Sequence, residues 1–206
     1  MPEMDGIEMC KRIKDDLDVC HIPVIMLTAK DALENKIEGF EKGADEYLSK
    51  PFSLDLLKVR IQNLIHSRET LRNKFSSSKA FTPAKDFTTN NLDEAFIEKA
   101  AKIVLDNIED PDFSLADFYG KLGMSRTVFF LKINSLTGQN PVNFIRTIRL
   151  KYAAKILLEN NTSVKDVGYR CGFSSPAYFV KSFKDFFGQT PKEYTVNQLK
   201  QDKDSI

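Results

Sequence analysis

The carboxyl-terminal half of the chain contains one unit twice, and a unit that recurs at a fixed interval constrains the architecture more than any single motif does. "FSLADFYGKLGMSRTVFFLKI", from Phe113, aligns with "TSVKDVGYRCGFSSPAYFVKSF", from Thr162, at an offset of 49 residues. Ser114 falls on Ser163, Asp117 on Asp166, Gly123 on Gly172, Ser125 on Ser174 and Lys132 on Lys181. Beyond one inserted residue the offset becomes 50, pairing Gly138-Gln139-x-Pro141 with Gly188-Gln189-x-Pro191 and Phe144 with Tyr194.

Each unit opens on a Ser suited to cap a short helix and breaks at a Gly-apolar-Ser turn. It then continues in a helix of about twelve residues that stops at Gly. Helix, tight glycine turn, helix is a helix-turn-helix, whose second helix can enter a DNA major groove. In unit one Phe129, Ile133 and Leu136 form the core face, leaving Arg126, Thr127, Phe130, Leu131 and Asn134 outward. In unit two Pro176 suits the first helical position after Ser175. Phe179, Phe183 and Phe186 are expected in the core, with Ala177, Tyr178, Lys181 and Lys184 on other faces. Between the units, "PVNFIRTIRLKYAAKILLE" predicts one helix from Pro141 to about Glu159. At 1.5 Å per residue it is about 28 Å long, enough to hold two recognition helices roughly one DNA turn apart.

Charge follows the same division. Residues 1–75 carry 12 Lys/Arg against 14 Asp/Glu, net −2, and residues 111–195 carry 12 against 6, net +6. A basic carboxyl half is the electrostatic footprint of a nucleic-acid binder, and equally of an ordinary solvated face. The three cysteines, Cys10, Cys20 and Cys171, are too few and too scattered for a disulfide framework. With His21 and His66 they make no metal-ligand spacing. No apolar run is long enough for a membrane span and no targeting segment opens the chain, so a cytoplasmic location without membrane contact is expected. No phosphate loop or catalytic triad spacing is present, and no enzyme activity is expected.

Ahead of the repeats, periodicity stops between Ser67 and Asn91, where "FSSSKAFTPAKDFTTNN" reads as a linker. Helical pattern resumes at Leu92, with Phe96, Ala100, Ile103, Val104 and Ile108 on one face. The expected divisions are 1–66, a linker at 67–91, a second domain at 92–195 and a polar tail at 196–206. In the first segment Ile7, Cys10, Ile13 and Leu17 mark a short helix, and Ile22 to Leu27 a buried parallel strand. A helix through Leu33, Ile37 and Phe40, closed by Gly43, comes next. A second strand in "DEYLSKPF" and a helix from Leu54 to Ile65 complete an αβαβα order, the doubly wound arrangement. The fold class expected is mainly α: a truncated doubly wound α/β segment, then an all-α domain of two helix-turn-helix units joined by a long helix.

Four signatures stand in order in the first segment: "MPEMDG" at the start, a strand ending in Thr28-Ala29, "GADEYL" from Gly43, and Lys50-Pro51-Phe52. Together they resemble the carboxyl-terminal half of a response-regulator receiver domain. On the residues alone Thr28 caps a helix and Lys50 is a solvated lysine. The resemblance instead implies that both contact phosphoryl oxygens, with Pro51 as the family's cis-proline turning Lys50 into the site. The phosphoacceptor aspartate and the Mg²⁺-binding acids of that family would precede position 1. This polypeptide is therefore expected to bind no Mg²⁺ or other cofactor and to accept no phosphoryl group. Without the earlier strands, "VIML" becomes an apolar edge, either disordered or covered by another copy.

The second domain resembles the DNA-binding domain of AraC-type transcription regulators. "IRTIRLKYAAKILL" in the linking helix and "DVGYRCGFSSPAYFVKSFKDFFGQTPKEY" in unit two carry the resemblance. It implies base-reading positions at Arg126, Thr127, Phe130 and Leu131 in unit one and at Pro176, Ala177, Tyr178 and Lys181 in unit two. Arg146, Arg149, Lys151 and Lys184 would meet DNA phosphates. Many relatives place a long polar residue where this chain has Phe130 and Leu131. Apolar contact with thymine methyls and packing of Phe130 on its own domain are both open. The two resemblances imply a double-stranded-DNA-binding transcription regulator at the output end of a two-component phosphorelay, and RNA polymerase as a further partner. The chain could instead form the tail of a hybrid sensor. In the other reading the receiver remnant chiefly forms a homodimer or engages a full-length partner.

Overall fold

The computed structural model describes residues 4–29, 44–78, 91–159 and 163–204. In chain order these form α1 (Gly6–Asp15), β1 (Ile25–Thr28), β2 (Glu46–Ser49), α2 (Leu54–Ser77) and α3 (Asn91–Asp106). The remainder comprises α4 (Leu115–Leu122), α5 (Arg126–Thr137), α6 (Pro141–Glu159), α7 (Val164–Arg170), α8 (Pro176–Phe187) and α9 (Pro191–Asp204). The chain is mainly α, as expected. The helix expected through Leu33 and Phe40 and residues 79–90 of the expected linker lie outside the described residues.

Asp5 starts α1 by accepting the Glu8 amide N–H at 2.8 Å, the usual way an orphan donor at a helix start is satisfied. The helix buries Cys10 and leads to β1, which pairs in parallel with β2 in the register Ile25↔Glu46 to Thr28↔Ser49. Asp45 joins these elements. Its Oδ2 accepts from the Val24 amide at 2.8 Å and pairs with Lys14 Nζ at 2.6 Å. Leu27 on β1 is 44% exposed, so the apolar edge expected from the sequence is present.

The helix after β2 runs further than its periodicity suggests. Ser53 caps α2, which continues to Ser77 through the stretch expected to begin the linker at Ser67. Residues 66–77 are mostly polar, but Leu71 and Phe75 pack on the core of the following domain, and that tertiary contact extends the helix. The Phe75 ring stacks on Phe144 of α6 at 5.6 Å.

Two apolar clusters hold the second domain together. Phe96, Ala100, Val104, Phe118, Phe129, Ile133 and Phe144 centre the first, around unit one. Leu150, Ala153, Val167, Phe179, Phe183 and Phe187 centre the second, around unit two. The long helix α6 lends one end to each, with Phe144, Ile145 and Ile148 in the first and Leu150 through Leu157 in the second. Phe187, not Phe186, completes the buried stripe of α8; Phe186 is half-buried against it. The expected tail from residue 196 is the continuation of α9, which starts at Pro191 and runs to Asp204.

The caps correct the register of the repeat. Ser114 and Ser163 cap α4 and α7, keeping the offset of 49, but α5 and α8 are capped by Ser125 and Ser175. The extra residue therefore lies in the second turn, at Ser174, ahead of the recognition helix. Pro176 at the first helical position selects Ser175 over Ser174 as the cap. Along these helices Leu131 corresponds to Lys181, Lys132 to Ser182 and Asn134 to Lys184.

Candidate nucleic-acid interface

Each recognition helix follows a turn whose glycine is left-handed, Gly123 with φ 74° and Gly172 with φ 69°. Three of the four positions expected to read bases in unit one stand outward. Arg126, Thr127 and Leu131 are exposed, Leu131 at 62%. Phe130 is half-buried, edge-on to Phe129 at 5.9 Å and packed against the first core. The Arg126 guanidinium lies 5.5 Å from its ring centroid, so Phe130 supports Arg126 from below.

In unit two Ala177, Tyr178 and Lys181 are exposed and Pro176 is half-buried at the helix start. Lys184, one turn further on, is exposed as well. Arg146 on α6 is exposed and donates from Nη2 to Asn143 Oδ1 at 3.0 Å. It also approaches Tyr178, and its hydrogen bond to the phenol is the main cause holding the Tyr178 pKa below its ordinary value. Val142, Arg146, Ser174 and Tyr178 line a cleft of about 240 Å³ between the units.

Of the expected phosphate contacts, Lys151 is buried and Arg149 half-buried. Lys151 is 3% exposed, its Nζ 4.8 Å from the centroid of the Phe75 ring. Burial pushes its pKa down to about 8. It occupies α6 beneath the end of α2, closed off from solvent. Between about 8 and the ordinary 10.5 the unfolded lysine binds the proton that the folded one has lost. Stability should rise with pH across that window, and Lys151→Met should abolish the rise in thermal unfolding curves.

Arg149, on the cleft that Arg146 also lines, is engaged by backbone carbonyls. Its Nη1 donates to the Gly172 carbonyl at 2.9 Å and its Nη2 to the Asp110 carbonyl. It ties the loop after α3 to the turn of unit two. A buried Lys132 also escaped the sequence reading; the nearest signal was a lysine on the core side of an otherwise apolar stripe.

In the first segment Thr28 closes β1 and Lys50 follows β2, with the Lys50 amide donating to the Thr28 carbonyl at 2.6 Å. The Lys50–Pro51 peptide is cis. The structure thus brings the three expected residues to the carboxyl ends of adjacent strands. Among the described residues no group of three or more His, Cys, Asp or Glu side chains could hold a metal, and no helix is long and apolar enough to cross a membrane.

Two capped recognition helices on one long connecting helix define a double helix-turn-helix domain. Residues 120–196 match the helix-turn-helix domain family and residues 1–62 the response regulator receiver domain family. The chain carries receiver-domain residues followed by an AraC-type helix-turn-helix domain. It is 44% identical over 194 residues to histidine kinase P4 of Formosa agariphila, covering 94% of this chain and 14% of that protein. Its first segment is 49% identical over 65 residues to the heme response regulator HssR of Staphylococcus epidermidis, covering 32% of this chain and 28% of HssR. The chain thus spans less than a third of the length of either relative. Among solved structures, an AraC-type transcriptional regulator from Chromobacterium violaceum is similar at 27% identity and TM-score 0.48, covering 52% of this chain and 95% of that one.

Proposed function

We propose that the chain is a sequence-specific, double-stranded-DNA-binding transcription regulator, the output portion of a two-component phosphorelay. The observation that carries this reading is the paired presentation of α5 and α8. Both pack on α6, both are capped by Ser behind a glycine turn, and both leave their first turns exposed. Arg126 and Lys181 supply the polar groups for base edges, and Arg146 and Lys184 the cations for phosphates. Leu131 offers a thymine methyl an apolar contact where unit two offers Lys181.

Binding to a duplex selected by the chain from a random-sequence pool should weaken steeply with salt in mobility-shift assays. Removing Arg146 or Lys184 should lower the log–log slope by roughly 0.9 each. Arg126→Ala and Lys181→Ala should each weaken binding to the selected duplex by about 1–3 kcal/mol, with a smaller loss on random DNA. Equal losses on both would make them phosphate contacts, and salt-insensitive binding would overturn the reading.

The exposed β1 edge favours a second use of the first segment, pairing with another copy of the chain. Sedimentation of the full chain as a monomer at all concentrations would remove it.

A further inference from the structure

We propose that Lys132 is a positioning residue that couples the first recognition helix to the receiver segment; this rests on the DNA-binding reading above. Lys132 and Asp93 are both 0% exposed, and Lys132 Nζ lies 3.4 Å from Asp93 Oδ1. The same ammonium donates to Cys20 Sγ at 3.1 Å and to the Leu17 carbonyl, and lies 4.8 Å from the Phe96 ring centroid. The Cys20 thiol in turn donates to Asp93 Oδ1 at 3.4 Å.

A buried ammonium has three N–H groups to satisfy and gains nothing from water. Leu17 and Cys20 of the receiver segment accept hydrogen bonds from it, and Asp93 of the DNA-binding domain pairs with its charge. The ammonium of a recognition helix thus finds its counter-charge inside its own domain but hydrogen-bond acceptors outside it. A second contact grips the same helix near its end, where Arg72 Nε of α2 donates to the Ser135 carbonyl at 2.7 Å. Arg72 also lies against Gly138, where an added Cβ would meet Arg72 Cβ at 3.3 Å.

Arg126, Thr127 and Leu131 remain exposed beside these contacts, so the reading surface stays open. The contacts set the orientation of α5 instead. Unit two has the small Ser182 where unit one has Lys132, so this charged link belongs to unit one. A contact that favours the DNA-ready placement of α5 must, by linkage, be strengthened when DNA engages α5.

Cys20 reports on this directly, since its 0% exposure means that it reacts only when the contact opens. The test is residue-resolved alkylation of the full chain by iodoacetamide, read by mass spectrometry with and without the selected duplex. Duplex should slow Cys20 alkylation at least about 5-fold, the low end of ordinary coupling. Cys10 and Cys171, also buried, serve as references and should change far less. In the K132M/D93L chain, which leaves neither charge unpaired, duplex should still be retained but Cys20 should lose its duplex-dependent protection. Discrimination should fall for base changes under unit one and stay for those under unit two. If that chain does not fold, Arg72→Ala severs the other contact without a buried charge and carries the same expectation.

Protection of Cys20 that merely tracks Cys10 and Cys171, or that survives in the variants, would overturn the coupling. A wild-type chain that retains no duplex at low salt would overturn the DNA-binding reading, and the coupling with it.

Discussion

Asp93→Ala is expected to cost about 3–5 kcal/mol of stability, because it strands the Lys132 ammonium in an interior with no carboxylate beside it. The two groups are 3.4 Å apart and fully buried. Urea denaturation should show the midpoint falling, and adding Lys132→Met to the Asp93→Ala chain should restore much of the loss. The recovery separates an unpaired charge from a simple cavity, which the second substitution would not repair. A single Asp93→Ala chain as stable as wild type would mean that water reaches Lys132.

Gly172→Ala is expected to cost about 2–5 kcal/mol, combining a left-handed backbone with overpacking. The added Cβ would lie 2.5 Å from the Ile108 carbonyl oxygen and 2.7 Å from Arg149 Cζ. Neither neighbour yields easily, since one is backbone and the other is held by two carbonyls. Gly123→Ala is the natural comparison. Its φ of 74° is nearly the same, but nothing lies within 4 Å of its Cβ position, so it should lose only about 1–2 kcal/mol. Equal losses in the two chains would remove the crowding argument and leave backbone conformation alone.

What could be read from the sequence was local. The limits of α6 followed from Pro141 and its apolar positions, and Ser114, Ser163 and Ser125 announced helix starts because a hydroxyl there has a defined partner. The Ser174-Ser175 pair was ambiguous on alignment, since either hydroxyl can cap; only Pro176 and the resulting core register of Phe179, Phe183 and Phe187 decide. What could not be read depended on a distant segment. Lys132, Arg149 and Lys151 look like solvated cations until Asp93, two backbone carbonyls and the Phe75 ring arrive from elsewhere in the chain. The end of α2 was hidden for the same reason: its two anchors, Leu71 and Phe75, mean little without the surface that they meet. Thus the exposed half of the candidate site was legible from helical spacing, whereas the split between outward and inward cations was not.

The unlike side chains of its two recognition helices, with the extra residue at Ser174 that shifts their register, give the duplicated domain a direction. Two copies of a unit with identical turns would present the same surface twice, and their target could be read the same way from either copy. Here Arg126 and Leu131 stand at one end of α6 and Pro176, Tyr178 and Lys181 at the other. A DNA target recognised by such a pair is two unlike words in fixed order. On the proposed DNA-binding reading, a single chain bound to such a target would point one way along the duplex.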